Sequence, residues 1–180
     1  MRVNRRRMHL GYAMYNTGNH PASWQQAPLR AATTIEHFHK LAAIAEAAKF
    51  DMLFRADVPF ARMSNVSAWS RHPQHMDVLE PLTLFSALSQ VTTHIGLAGT
   101  VTTTYSEPYN VARQFAALDH LSHGRSAWNI VTSAKPEAAH AFGEEALPPH
   151  RERYRRAREY LEAVKQLWDS YEDDAVVQDP

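Results

Sequence analysis

The stretch Ala98-Gly-Thr-Val-Thr-Thr-Thr-Tyr-Ser-Glu-Pro-Tyr-Asn-Val-Ala-Arg-Gln-Phe-Ala-Ala-Leu-Asp-His-Leu-Ser-His-Gly-Arg-Ser-Ala-Trp-Asn-Ile-Val-Thr-Ser133 decides the fold. It reads as strand, polar loop, helix, turn and second strand. The first strand ends in hydroxyls (Thr100, Thr102, Thr103, Thr104), the second in Asn129, Thr132 and Ser133. Two neighbouring parallel strands then present hydrogen-bonding groups at one edge of a sheet, the edge where α/β folds bind ligands. Pro108 suits a first helical turn, where its missing N–H costs nothing. Val111, Phe115, Leu118 and Leu121 give one apolar stripe, Gly124 is a helix stop and Arg125 opens the next strand. The same pattern also fits an ordinary αβ unit whose strands happen to end in polar residues.

Outward from this unit the chain repeats the alternation. Residues 8–14 are an apolar segment running into the polar loop Asn16-Thr-Gly-Asn-His-Pro21. Thr33 and Glu36 have capping-box spacing, ahead of a helix with Ile35, Phe38, Leu41, Ala42, Ala45 and Ala48 on one side. Phe50–Phe54 reads as a strand closed by Arg55-Ala56-Asp57, and 58–79 as a long loop carrying Trp69, His72 and His75. Pro81 opens a helix over Leu82–Val91, and Ile95–Ala98 is the next strand. A last helix over Pro149–Tyr171 puts Tyr154, Leu161, Val164 and Leu167 on one face. Four βα units imply an α/β fold with a parallel sheet and right-handed crossovers. A (β/α)8 barrel needs eight units, so the chain reads as the N-terminal half of one, a single domain over 1–180 with 1–7 disordered. Val101, Ile130 and Val131 are expected on the inner face of its sheet.

With 19 basic and 19 acidic residues the formal net charge is zero, which argues against a nucleic-acid partner. The basic cluster Arg2 and Arg5–Arg7 reads as a solvated tip. There is no cysteine, so disulfide and thiolate chemistry are excluded. No apolar run approaches the ~18 residues of a membrane span. The segment after Arg7 is too short and polar for a secretory signal, and the cytoplasm is the expected compartment.

Several residues have the chemistry of a site. Asp57, at a strand's carboxyl end, is placed to accept hydrogen bonds from a ligand, or else to cap a helix or pair in a loop. His150 and Tyr154 are four apart, on one face at a helix start, where free N–H groups favour an anion; a surface histidine and a half-buried tyrosine are the plain alternative. The pairs His120/His123, His72/His75 and His37/His39 lack a third partner of clear spacing, so no metal site is expected. There is no Gly-x-Gly-x-x-Gly, no P-loop and no Gly-x-Ser-x-Gly elbow.

Thr-Thr-Tyr-Ser-Glu-Pro-Tyr, Ala-Arg-Gln-Phe-Ala-Ala-Leu-Asp-His-Leu-Ser and Gly-Arg-Ser-Ala-Trp-Asn-Ile-Val-Thr-Ser closely resemble the bacterial-luciferase-like flavin monooxygenases. The similar group contains nitrilotriacetate monooxygenase, dibenzothiophene-sulfone monooxygenase and the large subunit of pristinamycin synthase. The resemblance runs from about His9 to Asp174. It implies a TIM-barrel enzyme of a two-component system that oxidises a small organic substrate with O2 and FMNH2, the latter supplied by a separate flavin reductase. By the same resemblance Asp57, Thr100, Thr103, Asn129, His150 and Tyr154 bind the FMN, while His20, as a catalytic residue, and Trp69 line the substrate side. Trp24 is a further wall residue. The family often shows two adjacent histidines where this chain has Asn19-His20, and a small or apolar residue where it has Arg55. The rival expectation is a truncated, inactive half barrel that serves as a flavin-binding or assembly module. Either way a homo-oligomer or a missing C-terminal half is the expected partner.

Overall fold

Strands and helices alternate along the chain and build one parallel sheet in the order β1-β2-β3-β4. The computed structural model describes residues 8–18, 20, 22–26, 34–60, 66–69, 79–172 and 174–176, the side chains of Trp24, Ala68 and Trp69 excepted. The strands are β1 (Gly11–Ala13), β2 (Met52–Arg55), β3 (Gly96–Thr102) and β4 (Ser126–Val131). The helices are α1 (Ile35–Ala47), α2 (Val66–Trp69), α3 (Pro81–Ser89), α4 (Pro108–Ser122), α5 (Pro136–Ala141) and α6 (His150–Asp169), with a 3-10 turn at Ser23–Gln25. The anticipated disorder of 1–7 and the pair His72/His75 lie outside the described residues.

Register assigns each strand residue to a face. Leu53, Leu97 and Arg55, Gly99 are paired, and Gly99 is paired with Trp128. This face packs on the helices: a Cβ on Gly99 would sit 2.8 Å from Leu82 Cδ2, so the glycine lets α3 lie against the sheet. The opposite face carries Phe54, Ala98, Thr100, Thr102, Asn129 and Val131. Val101, expected with Ile130 and Val131 on that inner face, instead shares the helix-facing side with Gly99 and Trp128, because successive strand residues alternate; Ile130 has the same register but is exposed and borders the cavity.

Between sheet and helices lies a core of Phe38, Leu53, Phe85, Leu88, Leu97, Val111, Phe115, Leu118 and Val164. The stripe of α4 is confirmed at Val111, Phe115 and Leu118, but Leu121 is exposed and Ser122 takes the buried place one step on. In α6 the buried residues are Tyr160 and Val164, while Tyr154 is 57% exposed. The anticipated capping box is not the start of α1. Its N-cap is Thr34, whose side chain makes no capping hydrogen bond, and Thr33 lies outside the described residues. The helix α3 is capped instead by Glu80, which accepts from Leu82 N at 2.9 Å and Thr83 N at 2.7 Å. At the end of α4 the left-handed turn starts at His123 (φ 56°) and continues in Gly124 (φ 81°). The Gly124 N–H donates back to Asp119 O at 2.9 Å.

The amino ends of the strands are locked by two charged side chains. One oxygen of Glu46, at the end of α1, accepts from three successive N–H groups, Thr93 (2.9 Å), His94 (2.7 Å) and Ile95 (3.0 Å). Arg125 donates to Ser122 O (2.6 Å), Thr92 Oγ1 (2.9 Å), Ile95 O (2.8 Å), Ser89 O (3.0 Å) and Thr92 O (3.0 Å). It thereby answers the open carbonyls at the ends of α3 and α4, where a cation also opposes the helix dipole. Among the described residues no helix is long and apolar enough to cross a membrane.

Candidate functional site

The carboxyl ends of β2, β3 and β4 open onto a cavity of about 480 Å³. Asp57 and the Val58-Pro59-Phe60 segment form one side, and Thr100 and Thr102 form the floor. Asn129 and the run from Val131 to Lys135 form the other side, with Tyr154 reaching in from α6. The size suits a drug-sized ligand, and the mix of apolar surface with a few convergent polar groups is that of a binding site.

A chain of side-chain hydrogen bonds crosses the floor. Asn129 Nδ2 donates to Thr100 Oγ1 at 2.9 Å, and Thr100 Oγ1 donates to Arg55 O at 2.7 Å. The inner-face register of Thr100 and Asn129 makes this possible. It uses the Thr100 proton and one of its lone pairs, and leaves Asn129 Oδ1 and one amide proton for the cavity.

Asp57 is the anion of the wall. Burial pushes its carboxyl up, reinforced by Glu80 and opposed by the Val58 N–H and by Arg55. Arg55, the residue whose packing the resemblance left in question, is 3% exposed. Its guanidinium donates to Met14 O (2.7 Å) and Asn16 Oδ1 (2.5 Å) and lies 5.4 Å from the Phe38 ring centroid. Its own affinity for a proton is lowered by burial, with Asp57 acting the other way.

The β4 side is held in an uncommon backbone shape. Ser133 has φ 53°, left-handed for a residue with a Cβ. Its hydroxyl lies 2.9 Å from Thr102 Oγ1. Its carbonyl accepts from Arg153, which also donates to Thr132 O (3.1 Å) and Pro148 O (3.0 Å). Arg156, on the same helix, donates to Thr103 O at 3.1 Å. Neither arginine stands out in the sequence, since Arg151-Glu-Arg-Tyr-Arg-Arg156 reads as a solvated charged face; only their three-residue spacing marks a shared direction.

Of the anticipated residues, the structure brings together Asp57, Thr100, Asn129 and Tyr154 in the cavity wall. His150 stands beside Tyr154, ring centroids 4.5 Å apart, in the first turn of α6, which no side chain caps. Thr103 does not line the cavity. It is fully buried, with its hydroxyl 3.3 Å from Val131 O, so it braces β4 from behind, and Thr102 is the neighbour that faces inward. His20 is exposed on the loop after β1, its Nδ1 accepting from Ala22 N at 3.1 Å, and it is not among the residues that line the cavity. Trp69 lies in α2 and Trp24 in the 3-10 turn, and their side chains are outside the described residues. The wall residues Thr102, Ser133 and Lys135 are additions to the anticipated set.

The luciferase-like monooxygenase family matches residues 13–177 of the chain. N-acetyl-S-(2-succino)cysteine monooxygenase of Bacillus subtilis (strain 168) is 47% identical, over 98% of this chain and 39% of that protein. Nitrilotriacetate monooxygenase component A of Aminobacter aminovorans is 41% identical, over 97% of this chain and 40% of its own length. Among solved structures, a riboflavin lyase with modified FMN and riboflavin superposes with a TM-score of 0.81 at 30% identity, covering 95% of this chain and 40% of that one. The chain thus spans about two fifths of the length of the relatives it matches.

Proposed function

The chain belongs to the luciferase-like monooxygenase family, and from that membership we propose that it forms the flavin side of a two-component monooxygenase. In this reading FMNH2 comes from a separate flavin reductase in the cytoplasm, and a small organic molecule is oxidised with O2. The observation that carries it is the cavity at the carboxyl ends of β2–β4, whose polar groups fit a flavin. Asn129 Oδ1 and its spare N–H match the alternating donors and acceptors of the ring edge. Val58, Pro59, Phe60 and Val131 offer apolar surface to the ring, and Tyr154 with the first turn of α6 offers donors to a phosphate.

The chain's own residues bind and orient. Asp57 accepts a hydrogen bond from the ligand. The Asn129–Thr100–Arg55 chain fixes the amide so that it presents one orientation. Ser133, held by Arg153 and Thr102, shapes the rim, and the apolar wall excludes water from the reacting face. Thr103 acts from behind the wall; His20 and Trp69 belong to the substrate side. The reduced cofactor, when bound, supplies the electrons for oxygen chemistry.

The test is titration of the full-length protein with FMN and FMNH2, followed by oxygen-dependent product formation with a reductase and NADH. Tight FMNH2 binding that is lost in Asp57→Ala and Asn129→Ala is expected. Binding unaffected by both substitutions would remove this cavity as the flavin site.

A further inference from the structure

The least expected group near the cavity is Arg55. Arg55 is a buried residue, and a buried guanidinium needs its donors answered and its charge countered. Two of its nitrogens are answered by Met14 O and Asn16 Oδ1, both on the segment leaving β1. The Phe38 ring takes one face at 5.4 Å. Among the described residues its Nε is buried without a hydrogen-bond partner, and no carboxylate pairs with it within 4.0 Å. The acid that feels its charge is Asp57, two residues on. The carbonyl of Arg55 is also where the Asn129–Thr100 chain ends.

We propose that Arg55 is a positioning residue: its guanidinium pins the segment leaving β1 against the cavity end of the sheet, two residues before Asp57, whose carboxylate its charge favours. One residue then links three parts of the site. Its side chain holds the Met14–Asn16 turn that leads to His20, its charge serves the anion of the wall, and its backbone anchors the amide on the far side. Other charged or titratable groups also face Asp57. Glu80, at the start of α3, works against the carboxylate, while Lys135 and Tyr154 share the wall from the β4 and α6 sides. Arg55, the last residue of β2, is the cation that lies two residues before Asp57. Lysine would keep the charge but not the fork that reaches Met14 O and Asn16 Oδ1 together.

The test follows the Asp57 carboxyl by 13C NMR across pH in the full-length protein without flavin, in wild type, Arg55→Met, Arg55→Gln and Arg55→Lys. The two neutral variants guard against a folding failure in either one, since Gln keeps a donor toward the β1 segment. Each neutral variant should shift the Asp57 midpoint upward, the direction that loss of an opposite charge gives. Arg55→Lys should leave it close to wild type. An Asp57 midpoint unmoved in the neutral variants, or moved as far by Arg55→Lys, would overturn the proposal whatever happens to the melting temperature. A second arm rests on the flavin reading: Arg55→Lys should weaken FMN about three- to tenfold through the released β1 segment. The carboxyl titration needs no flavin, so a wild-type protein that fails to bind FMN defeats the flavin reading alone, and the titration still decides the role of Arg55.

Discussion

Asn129 on β4 and Thr100 on β3 are register partners whose side chains are bonded to each other at 2.9 Å, beside the backbone ladder that already joins the strands. The bond passes on through the Thr100 hydroxyl to Arg55 O on β2, so side-chain donors on β4 and β3 tie three adjacent strands at their carboxyl ends. Thr100→Val keeps the shape and removes the hydroxyl. It leaves Asn129 and Arg55 O each short of a partner and should cost about 1–3 kcal/mol. Denaturant unfolding measures the stability loss. FMN binding should weaken in parallel, because Asn129 is then free to turn.

Asp57 carries an opposite balance of stability and binding. Burial raises its carboxyl, with Glu80 adding to the effect, so the folded chain takes up a proton at higher pH than the unfolded chain. Between the unfolded midpoint near ~3.9 and the higher folded midpoint, the folded state holds more protons, and stability falls as pH rises through that window. Asp57→Asn should therefore melt higher than wild type at neutral pH, lose the downward slope, and bind FMN more weakly. A variant that melts lower at pH 7 would show that Asp57 is held by contacts stronger than its burial cost.

Glu46 behaves the other way. Burial alone would push its carboxyl up, but the N–H groups of His94, Ile95 and Thr93 outweigh it and leave it below its ordinary range. A depressed acid contributes stability that is present above its unfolded midpoint and lost as pH falls through the folded one. Glu46→Gln keeps an oxygen for the three N–H groups but loses the charge, and should destabilise by about 1 kcal/mol or less at neutral pH. The gap to wild type should close in acid, as seen in melts from pH 7 down to pH 3.

Arg125→Lys tests the amino end of the sheet. Lysine has three donors on a flexible stem, against the five hydrogen bonds now made to Ser89, Thr92, Ile95 and Ser122. A loss of about 3 kcal/mol is expected. FMN affinity should be unchanged in the folded fraction, because none of these groups lines the cavity.

His150→Ala and Tyr154→Phe address the start of α6, where the two rings lie 4.5 Å apart. If this end receives the phosphate, both variants lose affinity for FMN and keep it for riboflavin. Parallel titrations decide the matter: equal losses for the two ligands would move the pair to the ring or ribityl chain.

The sheet is legible in the sequence because each unit carries its own local marks. Pro81 and Pro108 open helices, Gly124 follows a helix end, and apolar runs stop at Asp57, Thr102 and Val131. The α5 helix is not legible, since six residues opened by Pro136 are too few to show a period. Stripe errors at Leu121 and Tyr154 arise where a helix turns one flank toward solvent or a cavity, which spacing alone does not distinguish. In the site, Asp57, Thr100 and Asn129 are legible because a strand's end fixes where its side chains go. Arg55, Arg153 and Arg156 are not, because their partners are mostly backbone carbonyls brought near by the fold, and a carbonyl leaves no mark in a sequence. Thr103 differs from Thr102 only by parity, and a run of three threonines hides which of them faces inward.

Gly99 has a practical consequence for anyone altering this protein. With no side chain there, α3 rests directly on the middle of β3, a strand whose end is part of the cavity floor. A combinatorial library that randomises 56–60 and 131–135 samples new ligand shapes on an undisturbed base. One that reaches Gly99 or its neighbours Pro81, Leu82 and Phe85 would shift the base itself and return mostly misfolded clones. Screening effort is therefore best confined to the rim, with 81–99 held constant.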